Sequence, residues 1–125
     1  MEENAIGERL IGCALKVHKA LGPGLLESTY EVCLAHELGK AGLQFQRQVT
    51  LPLAYDGVVI ETGYRLDLLL ENLVVVEIKA VEALADVHRA QLLSYLKLGG
   101  YRLGYLLNFN VAMMKAGIHR FANGL

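Results

Sequence analysis

Two neighbouring apolar segments carry ionisable residues where a buried strand would hold only aliphatic side chains, and this constrains the fold most. The segment RLDLLL places Asp67 among leucines, and VVVEIK ends with Glu77 and Lys79 two residues apart. Burying such groups without partners is costly, so charged side chains are rarely fully buried unless they are paired or bind a metal ion. An acid in one strand and an acid and a lysine in the next therefore indicate a functional site.

The connection between these two segments decides whether the acids can meet. Side chains alternate between the faces of a strand, so Glu77 and Lys79 share one face. In a hairpin, Asp67 lies across from Glu77 on that face only when the connection has an odd number of residues. A two-residue turn at 71–72 would separate them. The pattern therefore predicts a three-residue connection around Glu71 to Leu73, or a compensating bulge.

The rest of the chain predicts further helices and strands around this hairpin. Apolar periodicity and Gly or Pro stops indicate helices, alternation indicates strands, and Asp56-Gly57 is a hairpin turn signal. The predicted helices are Asn4 to Leu21, Leu25 to Ala41 and Leu84 to Leu98; the strands are Gln48 to Tyr55, Val58 to Leu70, Leu73 to Lys79 and Tyr101 to Phe109, with a short strand or turn within Met113 to Phe121. The order α-α-β-β-β-α-β predicts an α/β fold, a mixed sheet of about four strands flanked by helices.

Composition limits the class of protein. A chain of 125 residues with 54% apolar and 20% charged residues is expected to form one globular domain over 1–125. No apolar run approaches the roughly 20 residues of a membrane span. The acidic N-terminus lacks a signal-peptide pattern, and Cys13 and Cys33 have no partner at metal-ligand spacing, so reduced thiols in a cytoplasmic protein are expected.

The net charge of −1 bears on nucleic-acid binding. A protein that binds nucleic acid mainly by neutralising phosphates usually has a basic face. Here Lys and Arg are scattered along the chain. Any nucleic-acid contact is therefore expected to be local, metal-assisted or built by an oligomer.

The residue types in the two strands fit metal-dependent chemistry. Two close carboxylates favour a divalent cation, and Mg²⁺ typically takes one or two carboxylates together with water and substrate phosphate. Such an ion polarises a phosphodiester and activates water, while a lysine on the same strand face can orient the nucleophile or offset transition-state charge. The alternative is a salt-bridge cluster of Asp67, Glu77 and Lys79 that only holds the sheet together.

Two helices carry further candidates. His88, Gln91 and Tyr95 share one face of the helix that follows the second strand, so Gln91 can lie beside the site. Glu27 and Tyr30 share a face of the second helix. Boundary polarity would equally explain Gln91 and Tyr95, and an acid in the first turn also complements the helix dipole. His88 is expected to be a residue at the boundary of the core. If two acids are too few to bind a metal, it is the first further ligand to consider.

The segment GLLESTY, Gly24 to Tyr30, resembles the signature of the GxxExxY protein family, and VHKALGPGLLESTYE, GYRLDLLL, VVVEIKA, VHRAQLLSYLKL and LGYLLNF extend that resemblance from about Ile11 to Phe121. The family is placed in the PD-(D/E)XK nuclease superfamily, so the resemblance implies its restriction-endonuclease-like core, α-β-β-β-α-β. One departure is Leu66, which stands where many members have a proline before the first acid.

The resemblance also assigns roles. It implies that Asp67 is the first metal-binding acid, that Glu77 and Lys79 form the (D/E)xK motif, that Gln91 and Tyr95 match a QxxxY motif, and that Glu27 assists the metal. The Ile78 carbonyl is implied as an extra ligand.

The expectation is a nuclease dependent on Mg²⁺ or Mn²⁺, in which Asp67, Glu77, Lys79 and Gln91 are catalytic, Glu27, Tyr30, Tyr95 and His88 support them, and Asp67, Glu77 and Glu27 bind the metal. Nucleic acid is the expected partner, DNA in preference to RNA, with no membrane and with a possible homodimer. The alternatives are a non-catalytic scaffold or binding module of the same fold, or a hydrolase of a small phosphodiester. An ion pair of Lys79 with either acid would favour the scaffold.

Overall fold

The computed structural model describes residues 1–125, which form three helices, seven strands and one 3-10 turn. The helices are α1 (Glu3–Leu21), α2 (Glu27–Lys40) and α3 (Asp86–Gly99); the strands are β1 (Phe45–Thr50), β2 (Leu53–Tyr55), β3 (Val58–Ile60), β4 (Arg65–Leu70), β5 (Val74–Lys79), β6 (Leu103–Asn108) and β7 (Ile118–Ala122), with the 3-10 turn at Met114–Gly117. No helix is both long and apolar enough to cross a membrane.

The main sheet has five strands in the order β1-β4-β5-β6-β7. Strands β5 and β6 run parallel, joined by a crossover through α3, and the other neighbours run antiparallel. Strands β2 and β3 form a separate hairpin. The predicted mixed α/β fold is confirmed.

Each face of the main sheet carries its own core. On one face, α1 and α2 cover a cluster of 19 buried residues that includes Leu68, Val76 and Ile78. On the other, α3 covers a smaller cluster of 8 that includes Leu66, Val75 and Tyr95. Strand β5 is buried on both faces, as expected for a strand in the middle of such a sheet.

Two long strands of the sequence prediction are each divided. The segment predicted as one strand from Gln48 to Tyr55 is broken after Thr50, because Pro52 cannot donate to a strand ladder. The segment from Val58 to Leu70 is broken at 61–64, where Gly63 has a φ of 79°. The predicted turn at Asp56-Gly57 is confirmed: both residues have positive φ, as the type I′ hairpin requires.

Candidate active site

The connection between β4 and β5 has the predicted three residues, Glu71 to Leu73. Glu71 and Asn72 adopt positive φ, and Leu73 N–H donates to the Leu70 carbonyl at 2.8 Å. The ladder then runs from the pair Leu70–Val74 to Leu68–Val76. The next position on each strand is Asp67 on β4 and Glu77 on β5, so the two acids are neighbours across the hairpin.

At these two acids the strands exchange side-chain hydrogen bonds in place of backbone pairing. Asp67 N–H donates to Glu77 Oε2 at 2.7 Å, and Ile78 N–H donates to Asp67 Oδ2 at 2.8 Å. Each carboxylate thus has one oxygen fixed by a backbone amide of the other strand. The second oxygen of Glu77 accepts no hydrogen bond, and Asp67 Oδ1 accepts only one, from Gln48 Nε2 at 3.4 Å.

The side-chain alternation of β4 breaks at Asp67. Leu68 lies in the core under α1 and α2, whereas Leu66 and Leu69, three residues apart, both lie in the core under α3. Opposite Asp67 on β1, Gln48 has a φ of 53° and is left out of the ladder that includes both its neighbours. The distortion therefore turns the Asp67 carboxylate along the sheet towards β5.

Glu77 is buried and Asp67 is half-buried, and neither has a compensating cation. Burial, and secondly the charge of Asp67, raise the pKa of Glu77 to about 8. Burial also raises the pKa of Asp67, against the opposing effect of the Ile78 amide. Lys79 lies close enough to lower both values, but no salt bridge joins it to either acid. The salt-bridge cluster that was the alternative to a site is absent.

Glu31 is a site neighbour that the sequence reasoning missed. It is buried in α2, its charge raises the pKa of both Asp67 and Glu77, and its Oε1 accepts from Gln48 Nε2 at 2.8 Å. Arg47 neutralises it through Nε at 3.0 Å and Nη2 at 2.9 Å, both to Oε2. One signal was available, because Glu31 is four residues after Glu27 and so lies on the same helical face.

Glu27 begins α2, and its Oε2 accepts from the Ala80 amide at 3.2 Å. The side chain is solvent-exposed and reaches the residue directly after Lys79. This contact brings the first turn of α2 to the carboxyl end of β5. Glu27 therefore lies at the edge of the site. The charge of Glu31, by contrast, raises the pKa of both Asp67 and Glu77.

Helix α3 lies on the other side of the acid pair. Tyr95 is buried, and burial followed by the charge of Glu77 raises its pKa. Gln91 is half-buried, makes no hydrogen bond, and lines a groove of about 240 Å³ together with Tyr95. His88 accepts from the Ala85 amide through Nδ1 at 3.1 Å, so in this structure it caps the helix.

Tyr30 is fully buried and holds the loop between α1 and α2. Its hydroxyl donates to the Gly22 carbonyl at 2.6 Å and accepts from Leu25 N–H at 3.2 Å, and its ring stacks on Phe109 at 4.6 Å. Both hydroxyl bonds stay within the loop. Tyr30 therefore positions the start of α2, and with it Glu27, without facing the acid pair.

The donor set fits a hard divalent cation only in part. Asp67 and Glu77 offer two carboxylates with oxygens left over, and one or two carboxylates are what Mg²⁺ usually takes from a protein. No group of three or more His, Cys, Asp or Glu side chains is assembled at metal-binding geometry. Water or substrate oxygens would have to complete the coordination.

A comparison with known protein families finds one match that covers nearly the whole chain. A family model described as PD-(D/E)XK nuclease superfamily matches residues 4–121. No curated protein and no solved structure gave a match. The match is to the superfamily, and the narrower GxxExxY assignment stays a prediction.

Proposed function

The chain belongs to the PD-(D/E)XK nuclease superfamily, and on that premise we propose that it hydrolyses phosphodiester bonds in nucleic acid with Mg²⁺ or Mn²⁺. The observation that carries the proposal is the pair Asp67 and Glu77. These carboxylates are adjacent, each is fixed through one oxygen, and no lysine or arginine pairs with either. A divalent cation would supply the missing positive charge.

In the proposed mechanism, Asp67 and Glu77 would hold the metal ion, and members of this superfamily generally use such ions. When bound, the ion would polarise the phosphodiester and lower the pKa of a water. Lys79 is two residues after Glu77 and unpaired, so its ammonium is free to orient the nucleophile and offset charge on the transition state. Gln91 would position the nucleophile or a phosphate oxygen from α3, and Glu27 would support the metal or a water at the end of β5.

The raised pKa of Glu77 adds a condition to metal binding. With a pKa of about 8 in the free protein, the carboxyl carries a proton at neutral pH. A cation must displace that proton, so metal affinity should increase as the pH rises towards 8. Activity limited by metal occupancy would show the same trend.

A second function, a non-catalytic scaffold, is favoured by two observations. The net charge of −1 gives little attraction for phosphates, and no set of three metal-binding side chains is in place. The unpaired ammonium of Lys79 favours the enzyme instead, because in a scaffold we would expect Lys79 to form an ion pair with Asp67 or Glu77. We propose a single nuclease-like domain that acts on DNA in preference to RNA and that forms a homodimer.

The test compares the wild-type protein with Lys79→Ala on labelled single- and double-stranded DNA and RNA in EDTA, Mg²⁺ and Mn²⁺. Lys97→Ala, at an exposed lysine of α3, is the matched control. Metal-dependent cleavage by the wild type and the control, lost in Lys79→Ala while calorimetry still shows Mn²⁺ binding, supports the nuclease. Equal cleavage by all three proteins reveals a contaminant. No cleavage and no metal binding by the wild type would favour the scaffold.

A further inference from the structure

A narrow groove lies between α3 and the segment that leads into β4. Its walls include Tyr64, Val87, Gln91, Tyr95 and Leu98, and its volume is about 240 Å³. None of its lining residues carries a formal charge. Pockets for drug-sized ligands usually range from about 300 to 1,000 Å³, so this groove suits one planar ring system rather than a larger molecule.

Tyr64 presents an open aromatic surface in this groove. Tyr64 as a residue is 44% exposed, and its ring lies against the buried residue Tyr95, with ring centroids 5.6 Å apart and planes inclined at 45°. Its backbone is fixed, because the Tyr64 carbonyl accepts from Leu51 N–H at 2.9 Å and its N–H donates to Thr62 Oγ1 at 3.2 Å. The ring is thus held in place with much of its surface exposed to solvent.

The groove adjoins the acid pair. Tyr64 precedes Asp67 by three residues, which sets a limit of about 11 Å between their Cα atoms even for a fully extended chain. Tyr95 forms the wall nearer to the site, since the charges of Glu77 and Asp67 both raise its pKa. A group in the groove would therefore lie within a nucleotide or two of a phosphate at the acids.

We propose that this groove binds a nucleobase, stacked on Tyr64, next to the phosphate that is cleaved. The substrate is therefore single-stranded nucleic acid or an unpaired end. This rests on the proposed nuclease function and narrows its substrate class. Stacking of a base on an aromatic side chain contributes about 1–3 kcal/mol and tolerates any base, whereas the faces of a base inside a duplex are covered by its neighbours.

The charge of the chain supports the same class of substrate. Duplex binding through phosphates needs a basic surface, but the chain has 12 Lys and Arg against 13 Asp and Glu, and the groove itself is uncharged. Affinity that comes from stacking needs no such surface. Gln91, whose amide is unbonded, is placed to contact the edge of the bound base or its phosphate.

The experiment measures equilibrium binding in EDTA, where the site cannot cleave, with fluorescein-labelled oligothymidine and a duplex of equal length. Tyr64→Leu is compared with Tyr64→Phe, which keeps the ring, and with Tyr55→Leu at an exposed tyrosine of the β2–β3 hairpin. We expect Tyr64→Leu to weaken single-strand binding about tenfold or more, with Tyr64→Phe and Tyr55→Leu within about twofold of the wild type. The chain has no tryptophan but six tyrosines, so stacking on Tyr64 is reported by the part of the tyrosine quenching that Tyr64→Leu loses.

Three results would overturn the inference: unchanged single-strand binding in Tyr64→Leu, an equal loss for the duplex, or no binding of oligothymidine by the wild type. These results are independent of hydrolysis. If the wild type cleaves nucleic acid while Tyr64→Leu binds single strands normally, the nuclease function is supported and the base-binding site is excluded. A wild type that stacks oligothymidine on Tyr64 without cleaving it under any metal would remove the nuclease and keep the base site.

Discussion

Glu31 and Glu77 are buried to almost the same degree, with 7% and 6% of their surface exposed, yet they are held in opposite ways. Glu31 accepts one hydrogen bond from Arg47 Nε and one from Gln48, and forms a salt bridge with Arg47 Nη2, so its charge has a countercharge in contact. Glu77 accepts one backbone hydrogen bond and faces Asp67, whose charge raises the pKa of Glu77 further. Burial is therefore common to both carboxylates, and the missing countercharge is what distinguishes Glu77 as the candidate site residue.

The largest expected effect is the pH dependence of stability that Glu77 introduces. Its pKa is raised from 4.5 to about 8 in the folded protein, so the folded state holds a proton that the unfolded state releases. The free energy of unfolding is then highest below pH 4.5 as far as Glu77 is concerned, and falls between about 4.5 and 8, by on the order of 4 kcal/mol. Asp67 shifts in the same direction.

Urea denaturation of the metal-free protein from pH 5 to 8.5 measures this loss. Glu77→Gln can still accept from Asp67 N–H but carries no charge, so its stability should depend much less on pH. Glu82→Gln, at an exposed glutamate nearby, is the matched control and should behave like the wild type. Equal slopes for Glu77→Gln and the wild type would contradict the assigned cause.

Metal binding should recover the free energy of unfolding that is lost by placing Asp67 and Glu77 together in the protein. With Mn²⁺ at about 100 times its Kd, the unfolding free energy should rise by about 2.7 kcal/mol, because the ion binds only the folded site. At one fixed Mn²⁺ concentration the rise in Tm should be larger at pH 8 than at pH 6, where protons compete. Asp67→Asn and Glu77→Gln should both lose the effect, and a similar rise in these variants would place the ion elsewhere.

Removing the countercharge of Glu31 should make it resemble Glu77. Arg47→Met leaves a buried carboxylate near Asp67 without its cation, and because Arg47 is partly exposed we expect a loss of about 1–2 kcal/mol. Adding Glu31→Gln in the same chain should recover most of that loss. A double-mutant cycle by urea denaturation at pH 7 tests this, and strictly additive losses would show that the pair is not coupled.

Gln48 links Glu31 to Asp67, and its removal should have the smallest effect. Gln48→Ala deletes the amide between Glu31 and Asp67 at a cost of about 1 kcal/mol. The same amide lowers the pKa of Asp67, so the variant should titrate that carboxyl at a higher pH in a carbon-detected NMR experiment. Gln46→Ala, two residues earlier on β1 and without hydrogen bonds to its side chain, should leave this titration unchanged.

The hairpin of β4 and β5 shows how far sequence reasoning reaches. The alternation of side chains and the count of three connecting residues placed Asp67 across from Glu77, because both rules act within one short stretch of chain. The same reasoning predicted one strand where the structure has β1 and β2, and one strand where it has β3 and β4. The reason is that apolar composition continues where the backbone turns away, at Pro52 and Gly63. It also missed the break in side-chain alternation at Asp67, which depends on the two strands, β1 and β5, that flank β4 in the sheet.

The sequence by itself determined the class of fold and the β4–β5 hairpin. It also determined the set of Asp67, Glu77 and Lys79, which lies within the range that the superfamily model matches. Only the tertiary structure decided which carboxylates are compensated. Glu31 is 16 residues from Arg47 and 17 from Gln48, and it meets both because α2 packs beside β1. The pKa of Glu77 was equally beyond the sequence, because desolvation is set by all the atoms that surround a group in space rather than by its neighbours along the chain.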